Sequence, residues 1–330
     1  MNLYCRVDEA KRIHRKVEQP KPRLIVIAGP TAVGKTALAL EMAESFGGEI
    51  VNADSMQVYR HMDIGTAKPS ADERRRITHH LLDLVDPDES FNASLFTESA
   101  EPVIRSLHQK GIPIFVVGGT GLYIRALLGG LFSGPAADEE LRKTYRAQLA
   151  IHGGDYLYNH LKLVDPLAAR RIDLHDTARI IRALEVITLT GHSIVEKQAE
   201  HAFSDRHYDY LKIGLTMDRN NLFGRIDRRT RAMVEAGLVD EVRRLLQMGY
   251  GKDIKPIQSM GYKHIVSHLK GDLSIDEAIT LTARDTRRYA KRQETWFRSE
   301  PDTVWFLPGD LKMIKENVKR FIRGDDPEIA

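Results

Sequence analysis

Residues 24 to 47 read LIVIAGPTAVGKTALALEMAESFG, and this stretch decides the fold. Its first five residues are apolar and mostly β-branched, which predicts a buried strand, and the run after Thr36 has the apolar periodicity of a helix. Between them lies GPTAVGKT, which matches the pattern G-x-x-x-x-G-K-[ST]. A strand, a glycine-rich loop and a helix in this order predict a phosphate-binding loop, or P-loop.

The residue types of this loop suit a chain of phosphates. Glycines let backbone N–H groups curl around phosphate oxygens, and the N-terminus of the following helix adds its dipole. Lys35 supplies a positive charge and Thr36 a hydroxyl for Mg²⁺. The predicted phosphate ligands are Gly29, Pro30, Thr31, Ala32, Val33, Gly34, Lys35 and Thr36. The loop indicates diphosphate binding, but by itself it does not indicate hydrolysis of a nucleoside triphosphate.

Further strands are predicted along the chain on both sides of a helical stretch. They are EIVNA (49–53), LLDLV (81–85), PIFVV (113–117), YLKIGLT (210–216) and TVWFL (303–307). Short buried strands separated by helices predict an α/β fold with a parallel sheet flanked by helices. We expect a P-loop NTPase-like core in two pieces, 23–137 and 205–330, with an all-helical subdomain inserted at 138–204. Residues 1–22 are expected to be a flexible extension.

The totals exclude several classes of protein. The chain has 330 residues, of which 42% are hydrophobic and 29% charged, and its net charge is +3. Its one cysteine, Cys5, excludes internal disulfides and zinc sites built on paired cysteines. No signal peptide or membrane-spanning run is recognisable. We therefore expect a cytoplasmic protein without membrane contact. We also expect a monomer.

Polar side chains follow two of the predicted strands, at the edge where open α/β sheets bind ligands. Asp54 follows the second strand, and Thr120 and Arg125 follow the fourth. In LLDLVD, Asp83 or Asp86 could hold Mg²⁺ through water, as in a Walker B strand. An ordinary buried strand followed by a turn explains LLDLVD equally well, so this pattern decides nothing.

Seven segments, in this order and spacing, resemble one family. They are GPTAVGKT (29–36), DSMQVYRHMDIGTAKP (54–69), VGGTGLYIRALL (117–128), RIIRALEV (179–186), MDRNNLFGRIDRRTRAMVEAGLVDEV (217–242), MGYKH (260–264) and RRYAKRQETWF (287–297). The family is that of the tRNA dimethylallyltransferases, also called tRNA isopentenyltransferases or IPP transferases, and the likeness is to its bacterial members. It covers about residues 23 to 307 and neither end.

The resemblance implies transfer of a dimethylallyl group from dimethylallyl diphosphate to N6 of adenosine 37 of tRNA, next to the anticodon. The products would be N6-dimethylallyladenosine and diphosphate. The adenine amine is a weak nucleophile, so a base and a stabilised leaving group are needed. By family analogy Asp54 is the base and Thr120 orients the adenine. Lys35, Mg²⁺ on Thr36, Arg125 and Arg219 would neutralise the diphosphate. A turn-capping role for Asp54 and surface ion pairs for the two arginines are the structural alternatives.

The family match also implies where the anticodon stem-loop binds. The implied tRNA contacts are Asp54, Ser55, Met56, Gln57, Thr120, Arg142, Ala178, Arg179, Ile180, Ile181, Arg182, Gln258, Ser259, Met260, Gly261, Tyr262 and Lys263. Gln57 can offer a donor and an acceptor to a base edge. Between Arg284 and Arg298, six basic residues against two acidic ones can track phosphates. The aromatic residues of that stretch are expected to pack on the core.

The chain departs from the family in two places, and three other functions compete with the resemblance. Members often carry Gln where Ala178 stands, and the zinc finger of eukaryotic members is missing. A small-molecule or nucleotide kinase explains the P-loop but not DSMQ or GGTGLY. A GTPase-like RNA-binding module needs a guanine-reading motif, which does not follow the fourth strand. A prenyltransferase for free adenine nucleotides needs neither the helical insertion nor the basic helix.

Overall fold

The central sheet of the protein is entirely parallel. The structure, a computed structural model, describes residues 20–132, 134–201 and 203–325, so most of the predicted N-terminal extension lies outside the described residues. The strands are β1 Arg23–Ala28, β2 Glu49–Asn52, β3 His79–His80, β4 Ile114–Gly118, β5 Asp209–Leu215 and β6 Thr303–Phe306. Within the described residues they form a six-stranded sheet in the order β3-β2-β4-β1-β5-β6. The predicted α/β fold with a parallel sheet is confirmed.

The P-loop strand lies in the interior of this sheet. Strand β1 pairs with β4 on one side and β5 on the other, so that Ala28 lies opposite Gly118 and Gly214. Strand β2 pairs with β4, and Asn52 lies opposite Val117. The carboxyl ends of β1, β2 and β4 therefore meet at one edge, which brings the segments that follow them together.

Helices cover both faces of the sheet and form the insertion. The helices of the core are α1 Lys35–Phe46, α2 Ala71–Arg76, α3 Ala93–Gln109, α4 Gly121–Gly129, α10 Arg219–Glu235, α11 Leu238–Gln247, α12 Tyr262–Leu269, α13 Ile275–Arg298 and α14 Leu311–Arg323. The helices of the insertion are α5 Glu139–His152, α6 Gly154–Val164, α7 Pro166–Arg171, α8 Thr177–Thr190 and α9 Ile194–His201. Local signals set several starts: Ser274 and Glu277 form a capping box at α13.

The alternation of side chains along β1 builds the core on both faces. Ile25 and Ile27 pack in a cluster with residues of α1 and α14, whereas Leu24 and Val26 pack in a cluster with residues of α3 and α4. This is the arrangement expected of a parallel strand buried on both faces. A third cluster joins Val58, Tyr59 and Met62, which follow β2, to residues of α11 and α12.

The third strand is not where the sequence predicted it. The strand is His79–His80, and the predicted run at 81–85 is irregular. Leu81 and Asp83 have φ values of +62° and +55°, which an extended strand does not allow. Both carboxylates considered for a metal are held by cations, since Asp83 pairs with Lys68 and Arg74, and Asp86 pairs with Arg60.

The insertion has a hydrophobic cluster of its own, which includes Tyr145, Leu157 and Leu161. At its centre Glu185, whose side chain is fully buried, accepts hydrogen bonds from Arg142 and Arg182 and from the backbone N–H of Asp138. Burial opposes ionisation of Glu185, but the hydrogen bonds from the two arginines outweigh it and keep its pKa below the usual value.

In the three ranges 20–132, 134–201 and 203–325, no helix is both long and apolar enough to cross a membrane.

Candidate active site

A cavity of about 680 Å³ opens at the carboxyl ends of β1 and β2. It brings together segments that are far apart in the chain. Its walls include Thr31, Ala32, Lys35 and Thr36 of the P-loop, Asp54 to Gln57 after β2, Gln258 to Lys263 before and in α12, Arg229 of α10, and Tyr289 and Arg292 of α13. Most of the polar residues that the sequence assigned to the diphosphate and to the base-reading motif thus line one space.

The P-loop encloses the ammonium of Lys35. Its Nζ donates to the carbonyls of Gly29 at 3.0 Å and Pro30 at 2.8 Å. Burial lowers the pKa of Lys35 to about 8, although the nearby carboxylate of Asp54 opposes this change. Gly29 has φ of +142°, and a Cβ there would lie 2.6 Å from the carbonyl oxygen of Leu215, so the turn requires glycine. The loop therefore presents a cation whose charge a bound diphosphate would stabilise.

Asp54 caps a turn and faces the cavity at the same time. One carboxylate oxygen, Oδ1, accepts from the backbone N–H of Met56 at 2.8 Å and of Gln57 at 3.4 Å. The carboxylate also lies close enough to Lys35 and Arg229 to interact with their charges. The capping alternative is thus realised, but it engages only Oδ1. The negative charge is left beside two cavity cations.

Thr120 lies behind the cavity wall. Its hydroxyl accepts from the backbone N–H of Ser55 at 3.0 Å and donates to Ser55 Oγ at 3.3 Å. Thr120 is not among the residues that line the cavity. The hydroxyl predicted to orient the adenine is therefore used to hold the segment beside Asp54.

The amide of Gln57 is only partly available to a base. Its Nε2 donates to the carbonyls of Thr66 and Ala67, each at 3.1 Å. The expectation that this side chain offers a donor and an acceptor needs correction, because the donor group is already engaged within the fold. Its carbonyl oxygen, an acceptor, is the atom that suits a base edge.

The two predicted diphosphate arginines lie elsewhere. Arg125 forms an ion pair with Glu300, and its guanidinium lies 4.1 Å from the ring centroid of Trp296. Arg219 is the exposed first residue of α10. Neither lines the cavity. The structure therefore does not bring Arg125 or Arg219 into the cavity wall, and Glu300, a partner distant in sequence, holds Arg125 in place.

Arg229 contributes a cation to the cavity that no motif in the sequence predicts. It lines the cavity on α10 close to Asp54. Burial lowers the pKa of this guanidinium, with Asp54 opposing the change. The sequence contains a pattern that points to Arg229. Leu222, Ile226 and Met233 mark the inward face of α10, and an arginine is unusual on the inward face of a helix.

The segment from Gln258 to Lys263 is held by two carboxylates. The buried Tyr262 donates to Glu241 Oε1 at 2.6 Å, and Glu241 also accepts from the backbone N–H groups of Asp63, Ile64 and Gly65. Lys263 Nζ lies 2.9 Å from Asp285 of α13. The Tyr262 hydroxyl is therefore already hydrogen-bonded to Glu241, and it supports the loop of the cavity wall that contains Gly65.

The predicted tRNA contacts of the insertion lie outside this cavity. Arg142 and Arg182 are paired with Glu185, and the exposed Arg179 is paired with Asp176. The side chains of Ile180 and Ile181 are buried in the cluster of the insertion. Because α8 uses these two side chains to pack on its neighbours, the predicted contact of Ile180 and Ile181 with the tRNA stays a prediction that concerns their backbone.

Helix α13 has a basic surface and an inward face. Arg284 and Arg288 lie beside Asp285, and Arg292 lines the cavity. Hydrogen bonds from Lys263 and His264 outweigh burial and keep the pKa of Asp285 at about 2. Phe297 is buried and Trp296 packs against the core, as expected for these aromatics.

The protein groups near Thr36 suit a magnesium ion that takes most of its ligands from a bound diphosphate and from water. Among the described residues no three His, Cys, Asp or Glu side chains come together as a metal site. The hydroxyl of Thr36 lies in the cavity wall, one residue after Lys35. Mg²⁺ keeps several waters and takes its other ligands from phosphates, so one protein hydroxyl beside a diphosphate fits such an ion.

Comparison with known proteins gives consistent results. The family model described as "IPP transferase" matches residues 57–300, and one described as "Isopentenyl transferase" matches residues 22–86. A tRNA dimethylallyltransferase 2 of Syntrophus aciditrophicus is 57% identical over 92% of this chain and 98% of that protein. The crystal structure of a tRNA isopentenylpyrophosphate transferase of Bacillus halodurans, 42% identical, covers 92% of this chain and 96% of its own, with a TM-score of 0.67. A eukaryotic dimethylallyltransferase acting on tRNA is 28% identical over 93% of this chain and 81% of its own, with a TM-score of 0.78.

Proposed function

The chain belongs to the IPP transferase family and is an enzyme that transfers a dimethylallyl group to tRNA; from this premise we propose that the donor is dimethylallyl diphosphate and the acceptor is N6 of adenosine 37. The observation that carries the proposal is the shared cavity, where Lys35 and Arg229 lie beside Asp54. Two cations suit a diphosphate, and a carboxylate next to them suits the removal of a proton.

The diphosphate half of the site is built from the P-loop. Lys35 is the first residue of α1, so an anion there would meet the positive end of the helix dipole as well as the ammonium. Arg229, which is half-buried in the cavity wall, adds a second cation. The charge that develops on the leaving group is stabilised best by such fixed donors in a space with little water. Mg²⁺ bound at Thr36 would neutralise further charge on the diphosphate.

The acceptor half is built around Asp54. In the proposed step, the N6 lone pair forms a bond to C1 of the dimethylallyl group, and the C1–O bond breaks with its electron pair leaving on diphosphate. Asp54 accepts the proton that N6 loses. Because Oδ1 holds the turn through Met56 and Gln57, the carboxylate is fixed in place before the substrate binds.

The adenine has to leave the stacked anticodon loop to reach this cavity. The walls at Gln57 and at Gln258 to Lys263 would receive it, and the basic surface of α13 would hold the neighbouring phosphates. We also propose that the insertion contacts the tRNA through exposed groups such as Arg179. A cytoplasmic location and a monomer remain predictions from the sequence.

The decisive experiment is mass analysis of nucleosides from bulk tRNA incubated with the protein, dimethylallyl diphosphate and Mg²⁺. The expected product is dimethylallyladenosine in the tRNA digest, with none formed from free adenosine monophosphate. Incubation with ATP alone is expected to release no phosphate above background. Sustained ATP hydrolysis without modified tRNA would favour the kinase that the P-loop alone permits.

Diphosphate binding is expected to weaken as the pH rises above about 8. The pKa of Lys35 is about 8 without ligand, and a bound diphosphate favours the charged form, so binding requires a proton once the pH exceeds this value. The affinity for dimethylallyl diphosphate should then fall by up to about tenfold per pH unit. Calorimetry between pH 7 and 9.5 measures this, and Lys35→Arg, which stays charged, should flatten the profile. An equal slope in both proteins would contradict the contact.

The salt dependence of tRNA binding is expected to depend on Arg288. Its side chain is 64% exposed beside Asp285 on α13. If it contacts a phosphate, Arg288→Ala should reduce the slope of log Kd against log salt by about 0.7 to 0.9. Arg105→Ala is the matched control, because Arg105 lies near Pro22 and Tyr208 at the opposite edge of the sheet. The same slope in Arg288→Ala and the wild type would show that this face of α13 does not contact the tRNA backbone.

A further inference from the structure

We propose that Gln293 is a positioning residue, which ties the P-loop to the end of β4 and thereby fixes the diphosphate relative to the base. Its side chain is buried, with 6% exposed. Oε1 accepts from the backbone N–H of Thr31 at 2.8 Å, and Nε2 donates to the carbonyl of Gly119 at 2.8 Å. The inference rests on the proposed function, since it concerns how that reaction's two substrates are aligned.

The two hydrogen bonds require a neutral amide of this length. Thr31 needs an acceptor and Gly119 needs a donor, and a carboxamide supplies both from one planar group. Both partners are backbone groups of other segments, 262 and 174 residues away in sequence. Gln293 therefore does not serve its own helix. It joins α13 to the P-loop and to the loop after β4, which the hydrogen bonds between the parallel strands do not hold together.

Gly119 is shaped to admit this amide. A Cβ on Gly119 would lie 2.4 Å from Gln293 Nε2, well inside contact distance. The backbone at Gly119 does not have the left-handed φ that favours glycine, so space for the amide is the reason for glycine here.

The consequence reaches both halves of the site. On one side Thr31 and its neighbour Ala32 line the cavity within the P-loop. On the other side Gly119 precedes Thr120, whose hydroxyl holds Ser55 next to Asp54. One side chain is thus bonded to the loop that would hold the diphosphate and to the segment that supports the base. Reactions between two bound groups are sensitive to shifts of about 1 Å, so loosening this tie should slow transfer.

The tie also connects the site to the surface expected to meet tRNA. Arg292 precedes Gln293 and lines the cavity, and Asp285 on the same helix holds Lys263. Gln293 therefore lies on the same helix as a residue of the cavity wall and the carboxylate that holds Lys263.

The test compares Gln293→Ala, Gly119→Ala, the double variant and wild type, with tRNA prenylation and dimethylallyl diphosphate binding measured for each. Gln293→Ala is expected to lower kcat/KM for dimethylallyl diphosphate by about 10²-fold, while Kd for tRNA changes less than about twofold. Gly119→Ala should act in the same direction by displacing the amide. The double variant should be no worse than Gln293→Ala alone, because the new Cβ enters the space that the truncated side chain leaves.

Asn317→Ala is the matched control for the loss of a buried amide. Asn317 is also 6% exposed, and among the described residues its amide donates within α14, to the carbonyl of Met313. Its substitution should leave kcat/KM unchanged even if it alters Tm. If Gln293→Ala does not fold, Gly119→Ala measures the same tie with the glutamine still present.

Three outcomes would overturn the inference: unchanged kcat/KM in both single variants, multiplicative losses in the double variant, or an equal loss in Asn317→Ala. Failure of the proposed function looks different, because wild type itself would then form no dimethylallyladenosine. In that case dimethylallyl diphosphate binding would still report whether Gln293 shapes the P-loop: weaker binding in Gln293→Ala would support the tie, and equal binding would overturn it.

Discussion

Asp54→Asn is expected to lower kcat by about 10²-fold or more, the usual contribution of a positioned base. In this structure the substitution removes the charge while leaving the local fold in place. Asparagine keeps the Oδ1 acceptor, so the hydrogen bonds from Met56 and Gln57 that shape the turn can remain. What is lost is the negative charge and the ability to take a proton. Single-turnover kinetics with bound tRNA measures the step directly, and KM for both substrates should change little.

Asp218→Asn is the control for capping by a carboxylate. Asp218 Oδ1 accepts from the backbone N–H of Asn220 at 3.0 Å and of Asn221 at 3.1 Å, outside the cavity, so its geometry resembles that of Asp54. We expect full turnover in this variant. Near-full turnover in Asp54→Asn would move the role of base to another group.

Lys35→Met is expected to lower kcat/KM for dimethylallyl diphosphate by about 10² to 10³-fold, the range found when one fixed donor to a developing anion is removed. Its stability should behave differently. Burial lowers the pKa of Lys35 to about 8. Below that pH the folded protein carries the charge, and holding it in this site reduces the free energy of unfolding. Removing the charge should therefore leave Tm unchanged or raise it, at the expense of activity.

Lys212→Met gives the opposite pattern and serves as the control. The Lys212 side chain is 3% exposed and lies 3.4 Å from Glu300, outside the cavity. Removing it leaves a buried carboxylate with less compensation, so Tm should fall while the kcat/KM of the folded protein stays close to wild type. A loss of activity in Lys35→Met that merely follows a loss of Tm would contradict the assignment of Lys35 to the diphosphate.

The sequence determined the fold class, the family and the two motif segments that line the cavity, the P-loop and Asp54 to Gln57. Strand and helix periodicity are local properties, so β1, the P-loop and α1 could be predicted from residues 24 to 47. Asp54 was predicted from its place at the end of a strand, because the carboxyl ends of parallel strands share one edge. The strand predicted at 81–85 failed where positive φ angles at Leu81 and Asp83 interrupt the extended chain.

Only the tertiary structure decided which polar groups have partners and which face the cavity. Arg125 was assigned to the diphosphate, but it pairs with Glu300, 175 residues away. No motif predicts Arg229, yet the fold places it half-buried near Asp54, and Gln293 hydrogen-bonds two loops that neither periodicity nor motif connects. A charge or an amide takes whichever partner the packed chain places within about 3 Å. That choice depends on contacts between distant segments, which local sequence patterns do not contain.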